Sequence, residues 1–581
     1  MLKMDLRKNK FKIVFLCIIL FASLNIFAAT PPPPSEPLPS SVNPSIIGPY
    51  VQPKGGTTPQ ALAPLKHKEE KAENPLGEEA KKIKFKLTKI IIVDNTVYTE
   101  KQLEPIYKNK LNTVITVAEL QDIVQNITNY YRNNGYILSR AVIPPQHVKN
   151  GVVKIEIVEG YIDKVNVVGT PKGARSLVAA YGRRISESRP LQIKEMERYL
   201  FLANEIPGVQ SKAVLEASKT KTGASDLSLA TETRLMSVYV SYDNYGTRYI
   251  GPHQLTGNIE ADSFFRSGDA TRFTYVTTPD GFELKYKDFN YEFPIGTHGL
   301  RFIADGNQAL TNPQFTLAPL TVQGDAINYN GTFRYPVIRS RSQNLTIEGA
   351  FNYLNSRTTQ FNKSFLLYDD RVRSLRGGVT YDFADTLKGS NLINANLVQG
   401  IPVLGGSSNP DSFTVSRFGA TTKYTRITGQ ASRTQELFWK FSLFALVKGQ
   451  YSFQPLLASE QFAYGGNQLG RGYDPAEIIG DRGLAESLEL RFTTQPGKFY
   501  IQAVQLYMFY DAGDVWNLRR LFDLPTQASA TSTGGGVRFY MTKYVAGNFM
   551  WTQPLSRKVA ALQQIGNGSL PRLFFSISAS V

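Results

Sequence analysis

The sequence predicts a mixed fold in which two small α/β domains precede an antiparallel transmembrane β-barrel of about 16 strands. Three observations support this class. An apolar segment suited to export stands at the N-terminus, residues 83–235 repeat one order of strands and helices, and residues 236–581 consist of long alternating segments. A polytopic helical membrane protein is excluded, because the chain of 581 residues has no other long apolar run.

Residues 1–28 have the composition of a secretory signal peptide. A basic start precedes the apolar residues 13–24, and Ala28 and Ala29 are small residues suited to cleavage. As a helix this apolar core is about 20 Å long, short of the ~30 Å hydrocarbon core, so a signal peptide is favoured over an anchor. The single cysteine, Cys17, lies in this segment, so we expect no disulfide and no cysteine catalysis in the mature chain.

Residues 29–82 are predicted to be a proline-rich linker, and residues 83–160 the first α/β domain. Prolines recur in the first half of the linker, which favours extended conformations. In the domain we predict a strand over Phe85–Val93, a helix over 117–134 and a strand over Val152–Val158. The helix is supported by capping-box spacing of a threonine and a glutamate at its start.

Residues 161–235 are predicted to form a second α/β domain with a similar order of elements. The pattern gives a strand over 162–168, two helices and then two further strands. The helices are expected near 175–182 and 193–204, and the strands near 209–217 and 227–235. Two successive units of similar order indicate a tandem repeat.

Residues 236–581 are predicted to form the barrel. In Leu345–Tyr353 and in Leu573–Val581, apolar and aromatic side chains alternate with polar ones. A soluble β-sandwich also alternates, but segments of about ten residues exceed the usual soluble strand and suit a membrane-spanning one. Lipid offers no hydrogen bonds, so such strands must close on themselves. At about 20 residues per strand and turn, this region holds about 16 strands.

An enzyme is not expected. The four histidines stand far apart, and we find no nucleotide-binding, zinc-protease or hydrolase motif. Neither a cofactor nor a metal is therefore predicted. The net charge of +17 would suit nucleic acid, but export makes that partner improbable, and an anionic membrane or a pore lining explains the charge better.

Five segments, in order, resemble two-partner secretion transporters, the TpsB or hemolysin secretion/activation proteins. Residues 130–146 (YYRNNGYILSRAVIPPQ) are similar to a helix end and loop of their first POTRA domain, and residues 207–229 to the end of the second. Residues 236–250 (MSVYVSYDNYGTRYI) resemble the first barrel strand. Residues 460–492 resemble the extracellular loop that folds back into the barrel, and residues 507–516 (YMFYDAGDVW) the strand with a Phe-x-Asp-x-Gly pattern.

The resemblance implies a bacterial outer-membrane protein with its POTRA domains in the periplasm. It implies that these domains capture an unfolded partner exoprotein, hemolysin-like or adhesin-like, which passes through the barrel without nucleotide hydrolysis. The other expected partners are outer-membrane lipid and the barrel-assembly machinery. Client-binding residues are not identified, although an accessible edge strand is a means of capture.

The resemblance also implies that the tip of an in-folded loop near 460–487 is held against the barrel wall. The tip residues are Gly470, Arg471, Gly472 and Tyr473, and the wall partners are Phe509, Asp511 and Gly513. Strand alternation places Asp511 on the pore side, and Glu489 is an alternative acid for Arg471.

Three departures from the family are visible. Gly470 stands where valine is usual, Val581 ends the chain where an aromatic is common, and no plug helix is evident in the proline-rich start. With Val581 at the end, recognition by the assembly machinery would rest on Phe574 and Phe575.

Two other functions remain open from the sequence. One is a barrel-assembly insertase of the same superfamily, and the other is a general solute porin. Insertases usually carry more POTRA units than about 150 residues allow, and a porin needs no periplasmic domains.

Overall fold

The computed structural model describes residues 38–46, 79–170, 172–407, 414–497, 500–518, 526–542 and 544–581. The predicted signal peptide 1–28 and most of the predicted linker 29–82 lie outside these ranges. Within them, no helix has both the length and the apolar character needed to cross a membrane.

The first α/β domain packs helices against a small sheet. Its helices are α1 (Glu79–Lys82), α2 (Glu100–Leu103) and α3 (Val117–Asn133), with 3₁₀ turns at Glu104–Ile106 and Lys108–Lys110. Its strands are β1 (Lys84–Lys86), β2 (Lys89–Val93), β3 (Val114–Thr116), β4 (Arg140–Val142) and β5 (Val152–Val158). The sheet has the order β2-β5-β4, and β1 pairs separately with β3.

The predicted single strand Phe85–Val93 is wrong. The segment is divided at Leu87, whose side chain is fully buried and whose N–H donates to the carbonyl of Thr113. Turning this side chain into the core lets β1 pair with β3 while β2 pairs with β5. The alternation of side chains could not show that one apolar segment pairs with two different strands, β3 at its start and β5 at its end.

The second α/β domain consists of five elements and packs against the barrel. They are β6 (Tyr161–Thr170), α4 (Arg175–Glu187), α5 (Ile193–Asn204), β7 (Val209–Ala217) and β8 (Ala224–Thr233), with sheet order β6-β8-β7. On α5, Arg198 donates to the carbonyls of Pro336 at 2.9 Å and Val337 at 3.0 Å. Glu205 pairs with Arg339. The domain therefore sits on the barrel turns at one end. The domain boundaries at residues 83, 161 and 236 stay predictions.

The remaining strands run from Met236 to Ser580. In chain order they are β9 (Met236–Asp243), β10 (Gln254–Asp262), β11 (Ala270–Thr277), β12 (Leu284–Ile295), β13 (Leu300–Thr311), β14 (Gln323–Arg339), β15 (Gln343–Gln360), β16 (Phe365–Ala384), β17 (Gly389–Gly400), β18 (Thr425–Glu436), β19 (Phe441–Ser452), β20 (Phe462–Tyr464), β21 (Ile478–Gly480), β22 (Arg482–Thr494), β23 (Ala503–Trp516), β24 (Gln527–Met541), β25 (Val545–Pro554) and β26 (Arg572–Ser580). The helix α6 (Ala560–Gln563) and 3₁₀ turns at Ser40–Val42, Phe315–Leu320 and Ala458–Glu460 complete the described elements.

All of these strands except β20 and β21 form one closed barrel, in which β26 pairs with β9. Counted over the described residues, it has 16 strands, each antiparallel to its neighbours. Its outer face carries exposed apolar side chains such as Leu375, Leu488 and Met508. The predicted fold class is confirmed. The barrel is closed because an unpaired strand edge has no hydrogen-bonding partner in lipid.

Candidate functional site

The connection from β19 to β22 folds back into the barrel. Its strands β20 and β21 pair as a hairpin, and Phe462, Tyr464 and Tyr473 join a buried cluster with Val515 and Ala530 of the wall. The loop is therefore packed as a core element and not as a surface loop. Its tip is the predicted segment Gly470–Tyr473.

Glycines give the tip the space that it needs. Gly470 has φ +74°, and a Cβ there would lie 2.6 Å from the ring of Tyr464. A Cβ on Gly513 would lie 2.3 Å from the same ring. The glycine that replaces the family's usual valine therefore lies against Tyr464, in a backbone conformation that L side chains rarely adopt.

Arg471 contacts both candidate acids. Its Nη2 donates to Oδ1 of Asp511 at 2.7 Å and its Nε donates to Oδ2 at 2.9 Å, which is a bidentate pair. Its Nη1 donates to Glu489. The guanidinium also lies 3.5 Å from the centroid of the Phe509 ring. The sequence left Asp511 and Glu489 as alternatives, and the structure places Arg471 between them.

Glu489 belongs to a wider charge network. It accepts hydrogen bonds at 2.7 Å from Nε of Arg491 and from Nη1 of Arg538, in addition to the bond from Arg471. Three arginines and two carboxylates thus form one cluster inside the barrel, which we call the arginine cluster (Arg471, Arg491, Arg538, Glu489 and Asp511). Each of the three guanidiniums lies over an aromatic ring, which limits its motion.

The other tip residues hold the loop on the neighbouring strands of the same wall. The N–H of Gly472 donates to Oγ of Ser532 at 3.2 Å, and the hydroxyl of Tyr473 donates to the carbonyl of Thr531 at 2.9 Å. Next along the chain, Asp474 pairs with Arg572 at 2.6 Å. The tip is therefore bonded to strands β22, β23, β24 and β26, which lie together in the barrel.

The base of the loop has its own anchor. Asp481 is fully buried, pairs with Arg417, and accepts at 2.8 Å from the N–H groups of Leu456 and Leu518. One carboxylate thus joins three connections between barrel strands, those from β17 to β18, from β19 to β22 and from β23 to β24.

An open apolar groove lies in the first α/β domain, between the start of α3 and the β4–β5 connection. Its volume is about 660 Å³, and its lining includes Ile83, Phe85, Val117, Leu120 and Val148. Beside it Pro144 follows the short β4, and the side chain of Gln146 donates to the carbonyl and accepts from the N–H of Lys154. This side chain occupies the place that a longer edge strand would take along β5. We call this region the POTRA groove, after the domain that residues 130–146 resemble.

Comparison with known proteins decides the family. Residues 223–539 match the family model described as haemolysin secretion/activation protein ShlB/FhaC/HecB, which is more than half of the chain. The chain belongs to this family. Residues 85–160 match its POTRA domain of ShlB type, so the first α/β domain is a POTRA domain.

Relatives and solved structures agree with this membership. The heme/hemopexin transporter protein HuxB of Haemophilus influenzae is 23% identical over 82% of this chain and 85% of its own length. The outer membrane transporter CdiB of Dickeya dadantii is 23% identical over 70% of this chain and 72% of its own. The structure of CdiB from Escherichia coli aligns with a TM-score of 0.70 at 17% identity, over 88% of this chain and 92% of that one.

The family places the chain in the bacterial outer membrane with its POTRA domains in the periplasm. The end of the barrel that carries the second α/β domain is therefore periplasmic. The long connections at the other end, including the in-folded loop, are extracellular. The predicted family resemblance, fold and location are confirmed.

The segment 38–46 lies at the extracellular end of this family member's barrel. Val42 packs in one cluster with Tyr249, Ile250 and Leu317, and the hydroxyl of Ser40 donates to the carbonyl of Ala476 in the in-folded loop. Its 3₁₀ turn covers only Ser40–Val42. The described part of the start therefore contacts the in-folded loop directly.

Sequence reasoning missed part of the arginine cluster and its surroundings. Ser487, which accepts from Nη2 of Arg471 at 2.8 Å, was not identified, and neither were Arg491 and Arg538. The sequence did contain a signal for Ser487 and Arg491. In the alternation of β22, residues 487, 489 and 491 fall on one face, the face that carries Glu489. The contact of Arg538 depends on barrel register, which a single sequence does not give. Among the described residues, no group of three or more His, Cys, Asp or Glu side chains is placed to hold a metal ion.

Proposed function

We propose that this chain captures one unfolded secreted partner protein with its POTRA domains and exports it through the barrel without hydrolysing a nucleotide. The observation that carries the proposal is the POTRA groove, whose lining residues Ile83 and Val148 are 53% and 41% exposed. Exposed apolar side chains beside the short strand β4 suit an extended segment, whose own apolar side chains would fill the groove.

The position of the groove relative to the barrel supports transfer. The first POTRA domain joins the second directly, since β5 ends at Val158 and β6 begins at Tyr161, and the second is bonded to the barrel turns through Arg198. A captured segment is thereby held beneath the periplasmic mouth. The sequence has no nucleotide-binding motif, so folding of the partner outside the cell would supply the direction of transport.

The partner that we propose is a large exoprotein of hemolysin or adhesin type. The support is membership of the haemolysin secretion/activation family. The relatives HuxB and CdiB reported above are also named as transporters. We propose two further partners, which the chain contacts during and after its insertion into the outer membrane. Outer-membrane lipid covers the apolar outer face, and the barrel-assembly machinery receives β26 with its Phe574 and Phe575.

The arginine cluster has a structural role in this function, which is to hold the loop tip inside the barrel. Arg471 is 5% exposed and Asp511 is fully buried. A buried ion pair that loses one partner leaves an uncompensated charge, at a cost of about 3–5 kcal/mol. The tip would then leave its place and the pore would no longer have the shape needed for export.

Deletion of the gene followed by quantitative comparison of secreted proteins and outer-membrane proteins tests the proposal. We expect one large secreted protein to disappear while other barrels keep their levels. A general loss of outer-membrane barrels would instead indicate an insertase. Unchanged secretion with reduced permeability to small solutes would indicate a porin, and either result would contradict the proposal.

A further inference from the structure

At the extracellular end of the barrel, β16 extends beyond its neighbour β17, whose last residue, Gly400, pairs with Ser374. The strands β14, β15 and β16 have 17, 18 and 20 residues, whereas the next strand, β17, has 12. The upper part of β16 is flanked instead by the segment after β17, because the N–H of Ser407 donates to the carbonyl of Arg371 at 2.8 Å. The outer face of β16 therefore continues above the end of β17.

The outward side chains of these strands change character at one level. On β16 they run from Phe383 and Tyr381 up to Leu375, which is 50% exposed, and then become Arg373, Arg371 and Asp369. The apolar part rises about 20 Å, at ~3.3 Å per residue and a tilt of ~40°. Arg373 thus stands near the upper border of an apolar band about 25 Å tall.

The strand register shows that the border is shared. Arg373 is paired with Tyr353, and Asp369 is paired with Arg357, which is itself paired with Asp325. Tyr329 on β14 stands level with Tyr353 and Arg373 and is 56% exposed. The row formed by Asp325, Arg357 and Asp369 is therefore charged on all three strands, and apolar outward residues lie below it.

At this border the charged side chains surround a pocket of about 270 Å³ that opens on the outer face. Its charged lining consists of three arginines and two aspartates, and Tyr353 and Leu404 add apolar walls. Those charged residues are Arg357, Arg371, Arg373, Asp325 and Asp369. We call it the outer pocket.

The outer pocket is a built site with one fixed guanidinium. Arg373 is 1% exposed, lies 3.4 Å from the centroid of the Tyr353 ring, and donates to the carbonyl of Leu404 and to Oδ1 of Asn355. Arg371 is exposed and pairs with Asp369 at 2.8 Å. Arg357 is also exposed, and within the described part of the chain no carboxylate lies within ion-pair distance of it. Two arginines thus remain accessible beside a buried third.

We propose that the outer pocket binds the phosphorylated headgroup of an outer-leaflet glycolipid, of the lipopolysaccharide type. Arginine forks bind phosphate oxygens in bidentate fashion. The acyl chains of such a lipid would lie on the apolar surface directly below, formed by Tyr329, Phe351 and Leu375, while the sugar and phosphate groups stand at the arginines. A soluble anion would use the arginines but not this surface. The inference rests on the place of the barrel in the outer membrane and not on secretion.

Binding of lipid A to the purified full-length chain in zwitterionic detergent tests the site, with native mass spectrometry as the readout. The test variant is Arg357→Ala with Arg371→Ala, since both side chains are exposed. Lys287→Ala is the matched control, because Lys287 is exposed and faces outward near the extracellular end of β12, outside the pocket. Arg373 is left intact because its contacts support the fold.

We expect bisphosphorylated lipid A to bind saturably to the wild type and to Lys287→Ala. The double variant should lose at least about tenfold in affinity, as removal of two charge-assisted bonds predicts. Dephosphorylated lipid A should bind as weakly to the wild type as lipid A binds to the double variant. Equal binding by the wild type and the double variant, or equal binding of the two lipids, would overturn the proposal. Inorganic pyrophosphate is the third probe, and an affinity equal to that of lipid A would show a site for the free anion and overturn the lipid assignment.

Discussion

At the tip of the in-folded loop Arg471 is 5% exposed and bonded to three side chains of the wall, whereas in the POTRA groove Ile83 is 53% exposed and faces an open space. The loop has its partners within the chain, and the groove has room for a partner from outside. In the function that we propose, the loop is a fixed part of the pore and the groove is the part that receives the partner protein.

The largest effect on secretion is expected from Arg471→Ala, which removes the guanidinium that lies between the buried carboxylates of Glu489 and Asp511. Asp511 keeps only the bond from the N–H of residue 471, and the loop tip should lose about 3–5 kcal/mol of stabilisation. Secretion should fall strongly while the barrel still assembles. Secreted partner protein and protease sensitivity of the loop in intact cells measure the two effects.

Arg334→Ala is the matched control for that change. Arg334 also faces the lumen and pairs with Glu348 at 2.7 Å, but its side chain is 42% exposed. Exposed pairs contribute about 0–1 kcal/mol, so this variant should secrete normally. Equal loss in both variants would mean that any lumen arginine is needed and that the loop tip has no special role.

A smaller effect is expected from Ile83→Asp combined with Val148→Asp in the groove. Charges on these exposed residues should weaken capture about tenfold or more, because the apolar contact of two side chains is lost. Secretion should fall at low partner expression and recover in part at high expression. Val214→Asp in the second domain, where Val214 is 45% exposed, is the control and should have no effect. Full secretion by the groove variant at low expression would refute capture at this site.

A still smaller effect is expected when the contact between the second α/β domain and the barrel is weakened, and it is measured as the rate of hydrogen exchange at that contact. Arg198→Ala removes bonds to the carbonyls of Pro336 and Val337 and to that of His298 at 3.2 Å, which together contribute about 1–3 kcal/mol. Hydrogen exchange at residues 296–299 should become faster. Arg175→Ala, which removes a single bond to Val167 within the same domain, should leave that exchange unchanged. Unaltered exchange in Arg198→Ala would contradict a docked domain.

The smallest effect concerns the start of α3, next to the groove. Thr116 and Glu119 form a capping box, and Thr116→Ala should cost about 1 kcal/mol and raise amide exchange in the first turn about fivefold. The hydrogen bonds that Glu119 accepts from Lys110 and from the N–H of Thr116 hold the pKa of its carboxyl below the ordinary 4.5. The stabilisation of the helix start by the ionised Glu119 carboxylate is therefore present above pH 4.5. It is lost as the pH falls through the lower pKa that Glu119 has in the folded protein.

Exchange measured at pH 7 and at decreasing pH checks this prediction. Thr113→Ala, just before β3, is the control, since its hydroxyl donates to the carbonyl of Lys110 and lies outside the box. No difference between the two variants would show that the box does not limit fraying of the helix.

These regions also differ in how far sequence could predict them. Alternation placed Asp511 toward the lumen, and the resemblance indicated Arg471, so both ends of the central pair were identified before the structure. Arg538 was not, because its contact with Glu489 depends on which residues of β22, β23 and β24 stand level in the barrel. Register is set by the whole closed sheet and has no local signal.

The groove and the outer pocket were missed for similar reasons. The groove lies beside β1, which ends where Leu87 divides the predicted strand Phe85–Val93, and a continuous apolar run does not reveal this division. The outer pocket needs Arg357 and Asp369 to be neighbours across two strands. The closed barrel itself was predictable, because alternation over long segments is a property of each strand alone.

Site-specific photo-crosslinking tests the central claim most directly, with a photoreactive residue at position 148 in the groove or at position 214 in the second domain. In cells that secrete the partner, we predict a crosslinked adduct of the chain with that protein from position 148 and none from position 214. Adducts of equal yield at both positions, or an adduct from position 214 alone, would contradict capture in the POTRA groove.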